Sequence, residues 1–309
     1  MQRRRPRVPS GVSAALLALG CCVAATNARA QQDMADVRIE VQPVAPGIHM
    51  LVGRGGNIGV STGDDGIFLI DDQFAPLHDR IVAAVAAIQP GPIGFILNTH
   101  WHGDHTGGNE AFGSGGALIF AHAAVRARMS SEQFVLAFDR HVPPSPPSAL
   151  PVVTFTRDLT LHLNGQTIRA VHVPAAHTDG DVAVHFVEAD VIHAGDVFFA
   201  GRYPFIDLSS GGSIDGVIAA ASGILESAGE RTKIIPGHGP LANRDDLLRY
   251  RDLLLLARER VAAALADGME LSEIVASDPL GDQDPSWGSG FITAEGFVKI
   301  VYASLTAGS

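Results

Sequence analysis

His100-Trp101-His102-Gly103-Asp104-His105 sets three imidazoles and one carboxylate within six residues. Residues two apart in an extended turn can point the same way, so His100 and His102 can share one ion while Asp104 and His105 turn toward another. Imidazole nitrogen and carboxylate oxygen both bind zinc at about 2.0–2.2 Å. Neutral histidines packed this closely otherwise gain little, the bland alternative being a solvated His-rich turn. Three further segments offer one ligand each: His177 in Ala176-His177-Thr178-Asp179-Gly180-Asp181, Asp196 in His193-Ala194-Gly195-Asp196, and His238 in Pro236-Gly237-His238-Gly239. A single Gly-flanked His or Asp in a turn is more often structural. Their ordered recurrence at the ends of expected strands makes the case for a metal centre.

Each ligand needs an element to carry it. Residues 93–97 read as an apolar strand running directly into Asn98-Thr99-His100, and a short helix starts near Asp104. The string thus sits at a strand's carboxyl end, where open α/β sheets place their functional loops. Upstream, 47–52, 57–61 and 66–71 alternate with Gly- and Asp-bearing turns and read as an edge meander; 77–88 has helical spacing and stops at Gln89-Pro90-Gly91-Pro92. Downstream come a strand at 117–121 and a helix. Residues 142–147 are too rich in proline for regular structure and are expected as a loop between two halves, overhanging the site. Strands recur at 152–155, 159–163, 167–173, 182–186 and 191–194, followed by a helix at 214–227, a strand at 233–235 and a long helix over 245–266. Two strand-rich halves, each with helices, predict an α/β layered fold of two packed sheets with helices outside.

The ordered set resembles the metallo-β-lactamase superfamily, which carries an HxHxDH string, a lone His, an Asp or Cys and a final His in this order. The resemblance implies an αββα sandwich covering nearly all of 31–309. It implies two Zn2+ ions, with His100, His102 and His177 on the first, Asp104, His105 and His238 on the second, and Asp196 bridging. Iron and manganese suit the same ligands. Two such ions about 3.5–4 Å apart can share a water and lower its pKa from about 15.7 toward about 7, giving a hydroxide that attacks a carbonyl. Asp104 is the catalytic candidate, orienting that hydroxide as well as binding metal. Asp71 and Asp179 are candidates for holding the far ring nitrogens of the histidines, and Arg202 and Tyr203 for touching substrate.

A β-lactam amide is the first substrate expectation, because 97–100 and 235–239 are similar to stretches of secreted class B β-lactamases. Asp196 and Phe199 depart from the best-known branch, which has Cys and, three residues later, a Lys that grips the substrate carboxylate. Asp196 is instead what glyoxalase-II-like thioesterases, lactonases and other hydrolases of the superfamily carry, so an exported esterase, thioesterase or lactonase is the alternative. A non-catalytic metal-binding or relay protein is the third. The remaining histidines, His49, His78, His122, His141, His162, His172, His185 and His193, read as structural or exposed, with His141 beside the proline loop the one to watch.

Residues 1–30 have the layout of a secretory signal: Arg3, Arg4, Arg5 and Arg7, an apolar stretch from Val12 to Ala25, and a small-residue exit at Ala28-Arg29-Ala30. The expectation is export to the periplasm or beyond by the general secretory route, with no stable membrane insertion of the mature protein; lipid attachment at Cys21 is the minor alternative. Cleavage after Ala30 removes Cys21 and Cys22, the only cysteines, so the ligands must be nitrogen and oxygen. It also removes five of the 22 basic residues and no acid, leaving 17 against 33 acidic. A surface that acidic repels phosphate backbones, which disfavours nucleic acid and leaves a small molecule as the expected substrate.

Overall fold

The computed structural model describes Met34 and residues 36–307. The expected leader, residues 1–30 with Cys21, lies outside the described residues. The chain divides into two compact units, Met1–Arg38 and Ile39–Ser309, and the elements below all belong to the second.

Short apolar runs cut by Gly- and Asp-bearing turns make the first sheet. β1 (Glu40–Ala45), β2 (Ile48–Val52), β3 (Ile58–Gly63) and β4 (Gly66–Ile70) form an antiparallel meander. After helix α1 (His78–Ile88), which buries Ile81 and Val85, β5 (Ile93–Asn98) returns parallel to β4. Two short helices, α2 (Gly103–Thr106) and α3 (Asn109–Ser114), precede β6 (Leu118–His122), parallel to β5, and α4 (Ala123–Met129) follows. A separate hairpin, β7 (Gln133–Val135) and β8 (Arg140–Val142), comes before β9 (Val153–Phe155), which closes the sheet in the order β1-β2-β3-β4-β5-β6-β9.

The second sheet repeats this plan. β10 (Asp158–Leu163), β11 (Gln166–His172), β12 (Val182–Phe186) and β13 (Val191–Phe199) are antiparallel neighbours. Helix α5 (Ile214–Ser227) then carries the chain to β14 (Lys233–His238), parallel to β13, and β15 (Ala242–Asn243) forms the edge. Helices α6 (Arg244–Ala266), α7 (Leu271–Ala276) and α8 (Ala294–Thr306) complete the chain.

Apolar faces of the two sheets meet in one core: Ile48, Met50, Phe68, Ile70 and Leu97 of the first pack with Ile168, Val184, Phe186 and Ile235 of the second. On its other face the second sheet is covered by α5, α6 and α8 through residues such as Phe198, Val217, Tyr250 and Phe297. Ser213 caps α5 by accepting from Gly216 N, and Asn243 starts α6 with a reciprocal capping box to Asp246. The result is the expected αββα sandwich. Among the described residues no helix is long and apolar enough to cross a membrane.

The proline segment differs from expectation. Ser145 N donates to Met129 O, and Pro147–Ala149 forms a 3-10 turn whose Ala149 carbonyl accepts from Asn109 Nδ2 at 2.9 Å. It is packed on α3 and α4 and does not overhang the site; that position belongs to the preceding hairpin.

Candidate metal centre

The candidate ligands stand within strands or in the turns that directly follow them. β5 delivers His100 and His102, the single turn of α2 projects Asp104 and His105, β13 carries Asp196, and β14 ends on His238. His177 follows β11 in the turn before β12.

The structure brings all seven together. Three sets of ligand atoms, His100/His102/His177, Asp104/His105/His238 and His100/His105/Asp196, each lie within 4.8 Å of one another. Asp196 is central: its Oδ2 lies 3.5 Å from His177 Nε2, 3.5 Å from His238 Nε2 and 3.8 Å from His100 Nε2, and its Oδ1 lies 3.1 Å from His105 Nε2. Asp104 Oδ2 is 3.3 Å from His238 Nε2 and 3.7 Å from His105 Nε2.

The far nitrogens fix the rings. His105 Nδ1 donates to Asp71 Oδ2 at 2.7 Å, His177 Nδ1 donates to Phe205 O at 2.8 Å, and His102 Nε2 donates to Asp207 Oδ2 at 3.0 Å. Thr99 Oγ1 donates to Asp71 and therefore accepts from His100 Nδ1 at 3.1 Å. Each of these four rings turns its remaining nitrogen, with its lone pair, into the centre.

Those nitrogens are disposed to hold a cation. His177 Nε2 and His102 Nδ1 face each other at 2.9 Å, each with its proton committed on the other side of the ring. His100 Nε2 and Asp196 Oδ1 are buried with no hydrogen-bond partner; an orphaned buried polar atom costs about 1–3 kcal/mol. Glycines keep the room open: a Cβ on Gly56 would sit 2.0 Å from His105 Cε1, and one on Gly237 2.0 Å from Asp196 Oδ1. Nitrogen and oxygen donors so placed fit a divalent metal ion.

Charge in the cluster is mutually arranged. Burial opposes ionisation of Asp196 and Asp104, but the surrounding histidines outweigh it, holding Asp196 well below the usual carboxylate range and Asp104 at about 2. Burial likewise opposes a charge on His238, yet Asp196 and Asp104 raise it to about 9. His177, with burial dominant, is lowered to about 4.

The sequence of residues 51–258 matches the family model of the metallo-beta-lactamase superfamily. The chain belongs to that superfamily. Within it, a hydroxyacylglutathione hydrolase of Methylococcus capsulatus is 31% identical over 147 residues, 43% of this chain and 50% of the relative. A lactamase-like protein of Emericella nidulans is 27% identical over 152 residues, 48% of this chain and 41% of the relative. The chain thus spans half or less of the length of these curated relatives. Among solved structures, a metallo-beta-lactamase from Pontibacter korlensis aligns with TM-score 0.56 and 19% identity, over 71% of this chain and 99% of the other. A sec-alkylsulfatase of Pseudomonas sp. aligns with TM-score 0.64 and 18% identity, over 86% and 50%. At those identities the structural likeness concerns the fold of this superfamily member.

Some sequence candidates fall elsewhere. Asp179 does not touch a ligand histidine: its carboxylate is paired to Arg128 through two 2.7 Å hydrogen bonds, because it lies on the outer side of the turn. The acid in that turn that faces inward is Asp181, which accepts from Thr178 N and Oγ1 and is raised to about 8 by burial. Tyr203 is 3% exposed and stacked on Phe297 with ring centroids 5.0 Å apart, so its ring belongs to the core and is not presented to substrate. Arg202 is exposed, its side chain lying against Gly290. His141 pairs with Glu132 on the surface, and His193 is buried between Asn57 O and Gly195 N.

Sequence reasoning missed Asp207 and Asn57. Asp207 lies in a turn with no strand before it, and Asp207-Leu208-Ser209-Ser210, a capping pattern in which Ser210 N bonds to Asp207, was the available signal. Asn57 Nδ2 donates to Pro236 O and Gly239 O, pinning the loop after β2 to the turn that bears His238.

Proposed function

We propose that this chain is a zinc hydrolase of carboxylic esters or thioesters, using two ions held by His100, His102 and His177 on one side and Asp104, His105 and His238 on the other, with Asp196 between. The observation that carries this reading is the placement of Asp196, whose two oxygens reach four histidine Nε2 atoms over 3.1–3.8 Å. When bound, divalent ions in such a pair supply Lewis acidity for a carbonyl oxygen and acidify a water toward neutral pH.

The chain's own residues do the remainder. Asp104 is 28% exposed while Asp196 is 5%, so Asp104 is the carboxylate a substrate-side water can reach, and it orients that water by accepting a hydrogen bond from it. Asp71, Asp207 and the Phe205 carbonyl lock the tautomers, keeping the ligand nitrogens unprotonated toward the centre.

Two observations favour an ester or thioester over the β-lactam expected first. Phe199 stacks on His238, ring centroids 5.0 Å apart, where a lysine would be wanted to grip a substrate carboxylate. The chain has two lysines, and they are engaged elsewhere, Lys233 on Val44 O and Lys299 on Glu295. The hydroxyacylglutathione hydrolases among the relatives act, as their name says, on an acyl thioester. Export, the expectation from residues 1–30, supports an acyl donor other than glutathione as the proposed substrate.

The test is a panel of acetyl and aryl esters, thioesters, a lactone and a chromogenic cephalosporin, assayed with residues 31–309 with zinc and with chelator. Chelator-sensitive turnover of esters or thioesters at least tenfold above the cephalosporin is expected. Preferential turnover of the cephalosporin would return the β-lactam to first place.

A further inference from the structure

One wall beside the centre is apolar and open to solvent. Phe205, whose carbonyl holds His177, puts its ring 6.1 Å from the His102 ring and 5.8 Å from the His177 ring. On it lies Phe138, 5.1 Å away, from the turn of the β7–β8 hairpin, and on Phe138 lies Phe291, 5.6 Å away, from the segment before α8. These rings climb from two proposed metal ligands to the surface without a break.

The upper part of the wall is exposed where folding alone would not leave it. Phe291 is 74% exposed, Leu136 in the same turn as Phe138 69%, and Phe138 46%. Scattered exposed apolar residues need no explanation, but a contiguous apolar surface at a site rim points to a ligand. The hairpin is also tied to the centre by polar contacts: Leu136 N donates to Ser209 Oγ, Ser209 Oγ donates to Asp207, and Asp207 holds His102. The wall is therefore held in register with the ligand set.

We propose that Phe138, Leu136 and Phe291 receive an apolar group, aryl or branched alkyl, attached directly to the carbonyl that is hydrolysed, so that the enzyme selects bulky uncharged acyl groups over acetyl. This rests on the hydrolase reading given above. Continuity through Phe205, whose ring lies beside His102 and His177 on one side and Phe138 on the other, favours substrate over another occupant. The Arg202 side chain lies against Gly290, the residue before Phe291.

The test compares benzohydroxamate with acetohydroxamate binding to zinc-loaded protein by calorimetry, in the wild type and in a Phe138→Ala/Phe291→Ala variant. Metal content and melting temperature are checked in both, since the two rings are exposed enough to remove without unfolding. Expected is at least tenfold tighter binding of the aryl compound in the wild type, reduced to within threefold in the variant. Equal affinity in the wild type, including no measurable binding of either, or a preference that survives in the variant, overturns the proposal. So does Phe138-dependent sedimentation with phosphatidylcholine vesicles alongside a flat preference, which would assign the rings to a lipid surface. Ester turnover is scored separately on the same preparation: its absence with aryl selectivity intact sinks the ester reading and leaves the wall standing.

Discussion

Asp71 and His105, 34 positions apart, are joined side chain to side chain at 2.7 Å with neither exposed to solvent. The same carboxylate accepts from Thr99 N and Thr99 Oγ1, each at 2.7 Å, and through that hydroxyl fixes His100. Asp71 adopts a left-handed conformation, φ 65°, just after β4, a conformation that a non-glycine residue adopts only at a cost. One strained, buried acid therefore orients a histidine from each half of the ligand set.

Replacing it should be felt at the metal before it is felt in the fold. Asp71→Asn keeps the size but cannot accept all three hydrogen bonds, and loss of such an outer partner costs about 10–100-fold in metal affinity or activity. Competition of the variant against a chromophoric zinc chelator checks this; affinity within twofold of the wild type would remove Asp71 from the site.

Asp207→Ala frees His102 to adopt the other tautomer, leaving a protonated nitrogen toward the centre. A similar loss of about 10–100-fold is expected, confined to the ion that His102 shares with His100 and His177. Stepwise metal titration reads it: one of two binding steps should weaken while the other holds.

Gly237→Ala tests the space around the bridge. Its Cβ would meet Asp196 Oδ1 at 2.0 Å and the Gly195 carbonyl at 2.7 Å, so Asp196 must move. We expect a folded protein by circular dichroism that retains less than half of the wild-type metal; full metal content would show that the carboxylate has slack.

Without metal, stability should fall as pH rises from about 6.5 to 9. His238 is raised to about 9, so its contribution is complete below the unfolded value near 6.5 and is lost as pH rises through 9. Asp181 is raised to about 8 by burial, so the folded chain keeps a proton that the unfolded chain has lost, and this group too loses stability as pH rises toward 8. Thermal melts in chelator between pH 6.5 and 9.5 check the decline. Zinc addition at pH 7 should release protons, because His238 is protonated there without the ion; melts that are flat in chelator and no proton release would contradict these charge assignments.

Much of this was legible in the sequence for a physical reason. Strands such as Val182–Phe186 and the helix Ile214–Ser227 are bounded by turn and cap residues, and the seven ligand candidates stand out because His and Asp at strand ends have little else to do there. What escaped depends on which way a side chain turns. Asp179 and Asp181 are two residues apart in one turn, and only the fold reveals that the first faces Arg128 and the second the interior. Tyr203 looked available in Gly201-Arg202-Tyr203-Pro204-Phe205, yet the C-terminal helices cover it. The β7–β8 hairpin has three-residue strands, too short for alternation to register.

The most direct measurement is metal stoichiometry by mass spectrometry after zinc loading and desalting, in the wild type and in Asp196→Ala. Close to two ions per chain are expected in the wild type, with at least one lost in Asp196→Ala because its oxygens reach histidines from both sets. One ion or none in the wild type, or two retained in Asp196→Ala, would contradict a dinuclear centre bridged by this carboxylate.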